Sequence, residues 1–124
     1  MSEYVLAIRP RKHYREGMSQ KEIYQITRGV WSFKPERYLD MYLAMTFING
    51  IVIEVFEIEN WHQAYTTKNE YPWNPKDYPG DGRVEFTGKV AGKSIRDKYI
   101  GKYFRFKQGD ANPARRIPIT AITK

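Results

Sequence analysis

The dipeptide Asn49-Gly50, set between two runs of aromatic and β-branched residues, constrains this chain more than any other feature. Asn-Gly is the favoured pair for a type I′ turn, in which both central residues take positive φ and the twist matches that of the strands joined. Residues 38–47 and 51–58 are therefore expected to form a hairpin. Side chains alternate along a strand, so Val52, Glu54, Phe56 and Ile58 share one face of the second arm and Ile51, Ile53, Val55 and Glu57 the other. Both faces are largely apolar. Both must be covered, as in a small barrel or in a sheet with helices packed against it.

The remaining segments supply the other elements. Tyr4-Val5-Leu6-Ala7-Ile8, closed by Arg9-Pro10, reads as a buried strand at the sheet centre. Ser19-Gln20-Lys21-Glu22 has the spacing of a capping box, in which the Ser and Glu side chains satisfy orphan N–H groups, and it predicts a helix over residues 20–28. Gly29 then stands where a left-handed helix end is wanted. Lys34-Pro35-Glu36-Arg37 can open a further helical turn, because proline suits the first turn. Residues 63–82 hold Pro72, Pro75, Pro79, Gly80 and Gly82 with Tyr65, Tyr71, Trp73 and Tyr78, the composition of a long irregular loop. Residues 83–90 alternate as a strand. Ser94 is placed to cap a short helix through Tyr99 that Gly101 ends. Residues 103–107 read as a strand, residues 108–115 as a loop, and residues 117–122 as an edge strand that tolerates Pro118. The expected fold is α+β, a small mixed β-barrel with two or three short helices, in one domain spanning residues 1–124.

Charge is distributed unevenly. Residues 36–85 hold nine acids against four bases, whereas residues 89–116 hold nine bases against Asp97 and Asp110, and Arg9, Arg11, Lys12 and Arg15 form a second basic cluster. The net charge is +7. If the fold joins the two basic segments, they make the positive face that phosphate backbones select. The chain has no cysteine and two histidines, which excludes disulfides, thiolate metal sites and cysteine nucleophiles and leaves little but carboxylates for a metal, so no structural metal is expected. No cofactor is implied. No stretch approaches the length of a membrane span and the N-terminus lacks the pattern of a secretory signal, so a cytoplasmic location away from membranes is expected.

Tyr24-Gln25-Ile26-Thr27-Arg28-Gly29-Val30-Trp31 resembles a bacterial and phage accessory domain associated with GIY-YIG-type nucleases. The resemblance continues through residues 50–58 to Trp61, the strand over residues 83–88, Ile95-Arg96-Asp97-Lys98-Tyr99-Ile100-Gly101-Lys102, and Asn112-Pro113-Ala114-Arg115. That family often carries an acid after the tyrosine, where this chain has Gln25, and no GIY-YIG nuclease domain accompanies the match. The element order is also similar to that of PUA-like barrels, including ASCH and EVE domains. That similarity implies RNA or modified-base binding in a cleft beside the barrel.

Arg28, beside Gly29 at a helix end, is a candidate for presenting a planar fork to phosphate or a base edge; the alternative is an ion pair with Glu54 or Glu57. Trp31 and Trp61, just outside regular elements, are candidates to stack on bases, with core packing as the alternative. Tyr99 and Phe86 read as core. Lys102, Arg105, Arg115 and Arg116 are candidate phosphate contacts. Lys12-His13-Tyr14-Arg15 is a candidate binding or catalytic loop, since His13 titrates near neutrality among cations. No GxSxG, HExxH or Walker glycine loop is present. The leading reading is a non-catalytic nucleic-acid or nucleotide-base binding module in DNA or RNA processing or phage and host defence. One alternative is a metal-free ASCH-like hydrolase or ribonuclease using Lys12, Thr27 and Glu54. The other is a protein inhibitor that binds a nuclease partner.

Overall fold

In the computed structural model, residues 3–34, 37 and 39–123 are described. Their strands are β1 (Tyr4–Ile8), β2 (Gly29–Trp31), β3 (Leu43–Ile48), β4 (Ile51–Gln63), β5 (Val84–Val90) and β6 (Ala114–Pro118); the helices are α1 (Gln20–Thr27) and α2 (Lys93–Tyr99). The class is α+β. The strands form one six-stranded mixed half-barrel sheet in the order β2-β5-β4-β3-β1-β6, with β1 parallel to β3 and every other neighbour antiparallel.

The hairpin that the sequence requires joins β3 to β4, with Ile48 opposite Ile51 and φ of +51° and +79° at Asn49 and Gly50. β4 continues past Ile58 to Gln63 by pairing with β5, and the register shifts between Ile58 and Asn60. Gly88 faces that shift. A Cβ there would stand 1.9 Å from the Glu57 carbonyl oxygen, so only glycine lets the two backbones approach.

Both faces are covered, as the hairpin pattern demands. On one face Ile23 and Tyr24 of α1 pack over Leu6, Ile8, Ala44, Phe56 and Phe86. On the other, Ile95 and Tyr99 of α2, with Phe104 and Phe106, pack over Val5, Ala7, Met45, Phe47 and Val55. α1 starts at the expected capping box: the Glu22 N–H donates to Ser19 Oγ at 3.1 Å, and the Ser19 N–H donates to the Glu22 carboxylate at 3.0 Å. Glu54 ties the helices together from β4. It is 4 % exposed, takes two hydrogen bonds from Arg96 of α2 at 2.8 and 3.1 Å, and one from Gln20 of α1 at 2.9 Å. Burial alone would raise its pKa, but the hydrogen bonds from Arg96 and Gln20 hold it below the ordinary value.

Several expectations change. Gly29 is not a left-handed helix end. It belongs to β2, where an added Cβ would meet Tyr71 Oη at 2.7 Å and Glu85 Cβ at 2.8 Å. Gly92, not Ser94, is the N-cap of α2. Residues 103–107 do not join the sheet ladder; Tyr103 makes isolated bridges to Ile51 and Thr123, and Phe104 and Phe106 pack onto the core instead. Arg115 and Arg116 lie in β6 rather than in a loop, and residues after Pro118 form the short 3-10 turn Ile119–Ala121. The turn expected at Lys34-Pro35-Glu36-Arg37 rests on Pro35 and Glu36, which lie outside the described residues, as does Tyr38; the first hairpin arm, expected over residues 38–47, begins only at Leu43, with residues 39–42 in a turn and coil.

Candidate nucleic-acid interface

The first basic cluster sits where β1 ends. Pro10 has no N–H to extend the ladder, and the chain turns at once into a 3-10 turn, Arg11–His13. Arg11 holds φ +53°, a left-handed conformation that costs a residue with a Cβ about 1–2 kcal/mol. The Arg9 N–H donates to the Pro113 carbonyl at 2.7 Å, so the turn is braced against the start of β6.

A groove of about 540 Å³ opens on the α2 side of this turn, lined by Arg9, Arg11, Tyr14, Phe47, Phe104 and Phe106 together with the Asn49-Gly50 tip of the hairpin. The Arg9 guanidinium lies 4.1 Å from the Phe106 ring centroid, and Phe104 meets Phe106 edge-on at 4.7 Å. A second cavity of about 340 Å³ opens on the α1 side, lined by Arg9, Arg11, Lys12, His13, Trp31 and Tyr78, among others. Both volumes lie in the range of small-molecule sites, about 300–1,000 Å³. His13 Nε2 and Tyr78 Oη are 3.0 Å apart, and the imidazole centroid lies 4.8 Å from that of Trp73. Burial, followed by repulsion from Lys12, holds the His13 pKa below its ordinary value.

Asp110 is the counter-charge at the ridge. It accepts two hydrogen bonds from Arg115, at 2.8 and 2.7 Å, and stands 3.3 Å from Arg9. The Arg115 hydrogen bonds, followed by the Asn112 N–H, push its pKa down to about 2. One carboxylate thus serves two guanidiniums. Among the described residues Arg11 and Lys12 form no salt bridge: Arg11 donates to the Asp110 carbonyl at 3.1 Å, and the Lys12 ammonium lies 5.9 Å from the Tyr78 ring centroid. The turn therefore keeps uncompensated positive charge between two aromatic cavities.

The residues singled out from the sequence scatter around this ridge. Trp31 lines the second cavity, 9 % exposed, with its indole N–H donating to the Thr27 carbonyl at 2.9 Å. Trp61 is half-buried and packs edge-on against Phe86 and Phe33 at 5.7 and 6.4 Å, at the margin of the α1-side core. Phe86 is a core residue, as expected, whereas Tyr99 is half-buried and packs against the α2-side core. Arg105 is exposed between the inward-turned Phe104 and Phe106, and Lys102 is half-buried, its carbonyl accepting from the Val52 N–H at 2.9 Å. Arg115 and Arg116, adjacent in a strand, point to opposite faces. Arg115 pairs with Asp110, whereas Arg116 pairs with Asp40 and lies 3.6 Å from the Tyr4 ring centroid.

Arg28 is enclosed, at 1 % exposure. Its Nε donates to the Phe86 carbonyl at 3.0 Å, Nη1 to the Lys68 carbonyl at 3.2 Å, and Nη2 to Thr67 Oγ1; Glu85, 0 % exposed, is 3.8 Å away. Glu85 in turn accepts from the N–H groups of Tyr65 and Thr67, both at 2.9 Å, from Tyr71 Oη at 2.8 Å, and from the Thr67 hydroxyl. These bonds outweigh the rise that burial causes and keep its pKa below the ordinary value, while burial first and Glu85 second push Tyr71 far up. The ion pair ties the loop after β4 to the sheet. That loop carries Trp73 and Tyr78 back against His13.

The residues of the hydrolase alternative have separate partners. The Thr27 hydroxyl donates to the Ile23 carbonyl at 2.7 Å and lies 2.7 Å from Thr46 Oγ1, Glu54 is paired with Arg96, and Lys12 is on the ridge. Among the described residues no group of three His, Asp or Glu side chains is arranged to hold a metal ion, and no helix is long and apolar enough to cross a membrane. Tyr14 belongs to the candidate loop at residues 12–15 and Arg9 and Arg11 to the second basic cluster, but Phe104 and Phe106 were not singled out as a site; their signal was the aromatic alternation at residues 104 and 106. The chain matches no protein-family model, no curated protein and no solved structure.

Proposed function

We propose that this protein is a nucleic-acid-binding module without catalytic activity of its own, and that its interface is the ridge of Arg9, Arg11 and Lys12 with the groove beside it. The observation that carries the reading is that Arg11, which forms no salt bridge among the described residues, and Arg9, which shares the Asp110 carboxylate with Arg115, border a groove walled by Tyr14, Phe104 and Phe106. Cations of this kind suit phosphates, and half-buried rings suit the faces of bases. The left-handed backbone at Arg11 supports it as well, since strain of this type collects at functional turns. The same reading takes the mixed half-barrel as PUA-like and places the module beside GIY-YIG-type nucleases in DNA or RNA processing. Topology supports the first and the resemblance of residues 24–31 the second.

The test is titration of a fluorescein-labelled 20-nucleotide DNA or RNA, followed by anisotropy at several salt concentrations. Wild-type protein binds with an affinity that falls as salt rises, because phosphate contacts release counterions. Arg11→Glu weakens binding by at least tenfold and flattens the salt dependence. Absence of saturable binding to every oligonucleotide at low salt would refute the proposal.

A further inference from the structure

The ridge separates two cavities that open on opposite sides of the sheet. One belongs to the face carrying Phe47 and Phe106, the other to the face carrying Ile26 and Trp31. Arg9 and Arg11 line both. The chemical order across the end of the sheet is thus aromatic cavity, cationic turn, aromatic cavity. A polynucleotide repeats the complementary order of base, phosphate, base.

From this match we infer that the ligand is single-stranded nucleic acid, held at one splayed step: the phosphate lies on Arg9, Arg11 and Lys12, and the two flanking bases enter the two cavities. The inference rests on the nucleic-acid reading above and narrows it. A duplex cannot dock in this way, because its neighbouring bases are stacked and paired with their faces hidden and cannot part around a ridge. A free mononucleotide can fill one cavity only. The walls are preset for the second base: Tyr78 is held by His13 Nε2 at 3.0 Å and by its carbonyl, which accepts from the Tyr65 hydroxyl at 2.6 Å. The Arg28–Glu85 pair anchors the same loop to β5.

The experiment is competition against a labelled 12-nucleotide single strand, in deoxy and ribo forms, by an unlabelled duplex of the same sequence, by dinucleotides and by mononucleoside 5′-monophosphates. The single strand is expected to compete at least tenfold better than the duplex. A dinucleotide is expected to compete at least tenfold better than either of its mononucleotides. Phe104→Ala, in the first cavity, and Tyr78→Ala, in the second, each weaken the single strand about 5- to 150-fold, the loss of one stacked base. Duplex competing as well as single strand, or dinucleotide competing no better than mononucleotide, overturns the splayed step and leaves the nucleic-acid reading standing. So does a loss in Phe104→Ala with none in Tyr78→Ala. Failure of the single strand and of the duplex alike to bind, each carrying its own label, would instead remove the nucleic-acid reading, whereas binding of the duplex alone overturns only the splayed step. The dinucleotide comparison uses wild-type protein, so it decides the matter even where a variant does not fold.

Discussion

Replacing Glu85 by Ala tests whether the buried pair it forms with Arg28 is the anchor of the long loop. The carboxylate has no exposure, accepts four hydrogen bonds from Tyr65, Thr67 and Tyr71, and faces a guanidinium that is 1 % exposed. Truncation leaves a buried cation without its counter-charge, along with two backbone N–H groups and a phenol that have lost their acceptor. Breaking a buried pair from one side costs about 3–5 kcal/mol. At about 2.1 cal/mol/K per residue, a chain of 124 residues unfolds with an entropy of about 0.26 kcal/mol/K, so the midpoint should fall by about 12–19 °C. Glu85→Gln keeps one acceptor oxygen and should fall less. The assay is thermal unfolding followed by far-UV circular dichroism, with limited proteolysis of residues 64–82 as a second readout. A shift under about 4 °C for Glu85→Ala, roughly 1 kcal/mol, would refute the argument that this pair anchors the loop.

Two further perturbations follow from local geometry. Gly88→Ala drives a Cβ into the Glu57 carbonyl and should cost about 1–3 kcal/mol or more in chemical denaturation, because backbone on both sides must shift; an unchanged denaturation midpoint would contradict the close approach of β4 and β5. His13 has a folded-state pKa below its unfolded value, so folding favours the neutral ring and the unfolded chain binds more protons. Its stabilising contribution is therefore present above about pH 6.5 and is lost as pH falls through the folded value. Wild type should lose more thermal stability between pH 8 and pH 5 than His13→Gln, and parallel profiles would show that the imidazole environment is wrong.

Much of the fold is legible in short-range chemistry. The Asn49-Gly50 turn, the Ser19–Glu22 capping box and the apolar run of β1 each depend on neighbours within a few residues, and each appears where its pattern lies. Errors cluster where a distant partner decides. Phe104-Arg105-Phe106 alternates like a strand, but Phe106 meets Phe47 and Phe104 meets Phe106, and the backbone makes no ladder beyond Tyr103. β2 is too short to show any period and exists because β5 pairs with it. Arg28 looked exposed beside a glycine at a helix end, yet β5 and the loop after β4 close over it, with Glu85 as the ion-pair partner rather than Glu54 or Glu57.

By itself the sequence determined that both faces of a hairpin had to be buried, that two basic segments flank an acidic middle, and that thiol chemistry had no cysteine to use. These follow from side-chain type and period, which folding does not alter. Tertiary structure alone decided which charges remain available. It brought Asp110 within reach of Arg9 and Arg115, set Asp40 against Arg116, enclosed Arg28 with Glu85, and left Arg11 and Lys12 between two aromatic cavities. Charge pairing acts over a few ångströms between residues far apart in the chain, so it is a property of the fold and not of the order of residues.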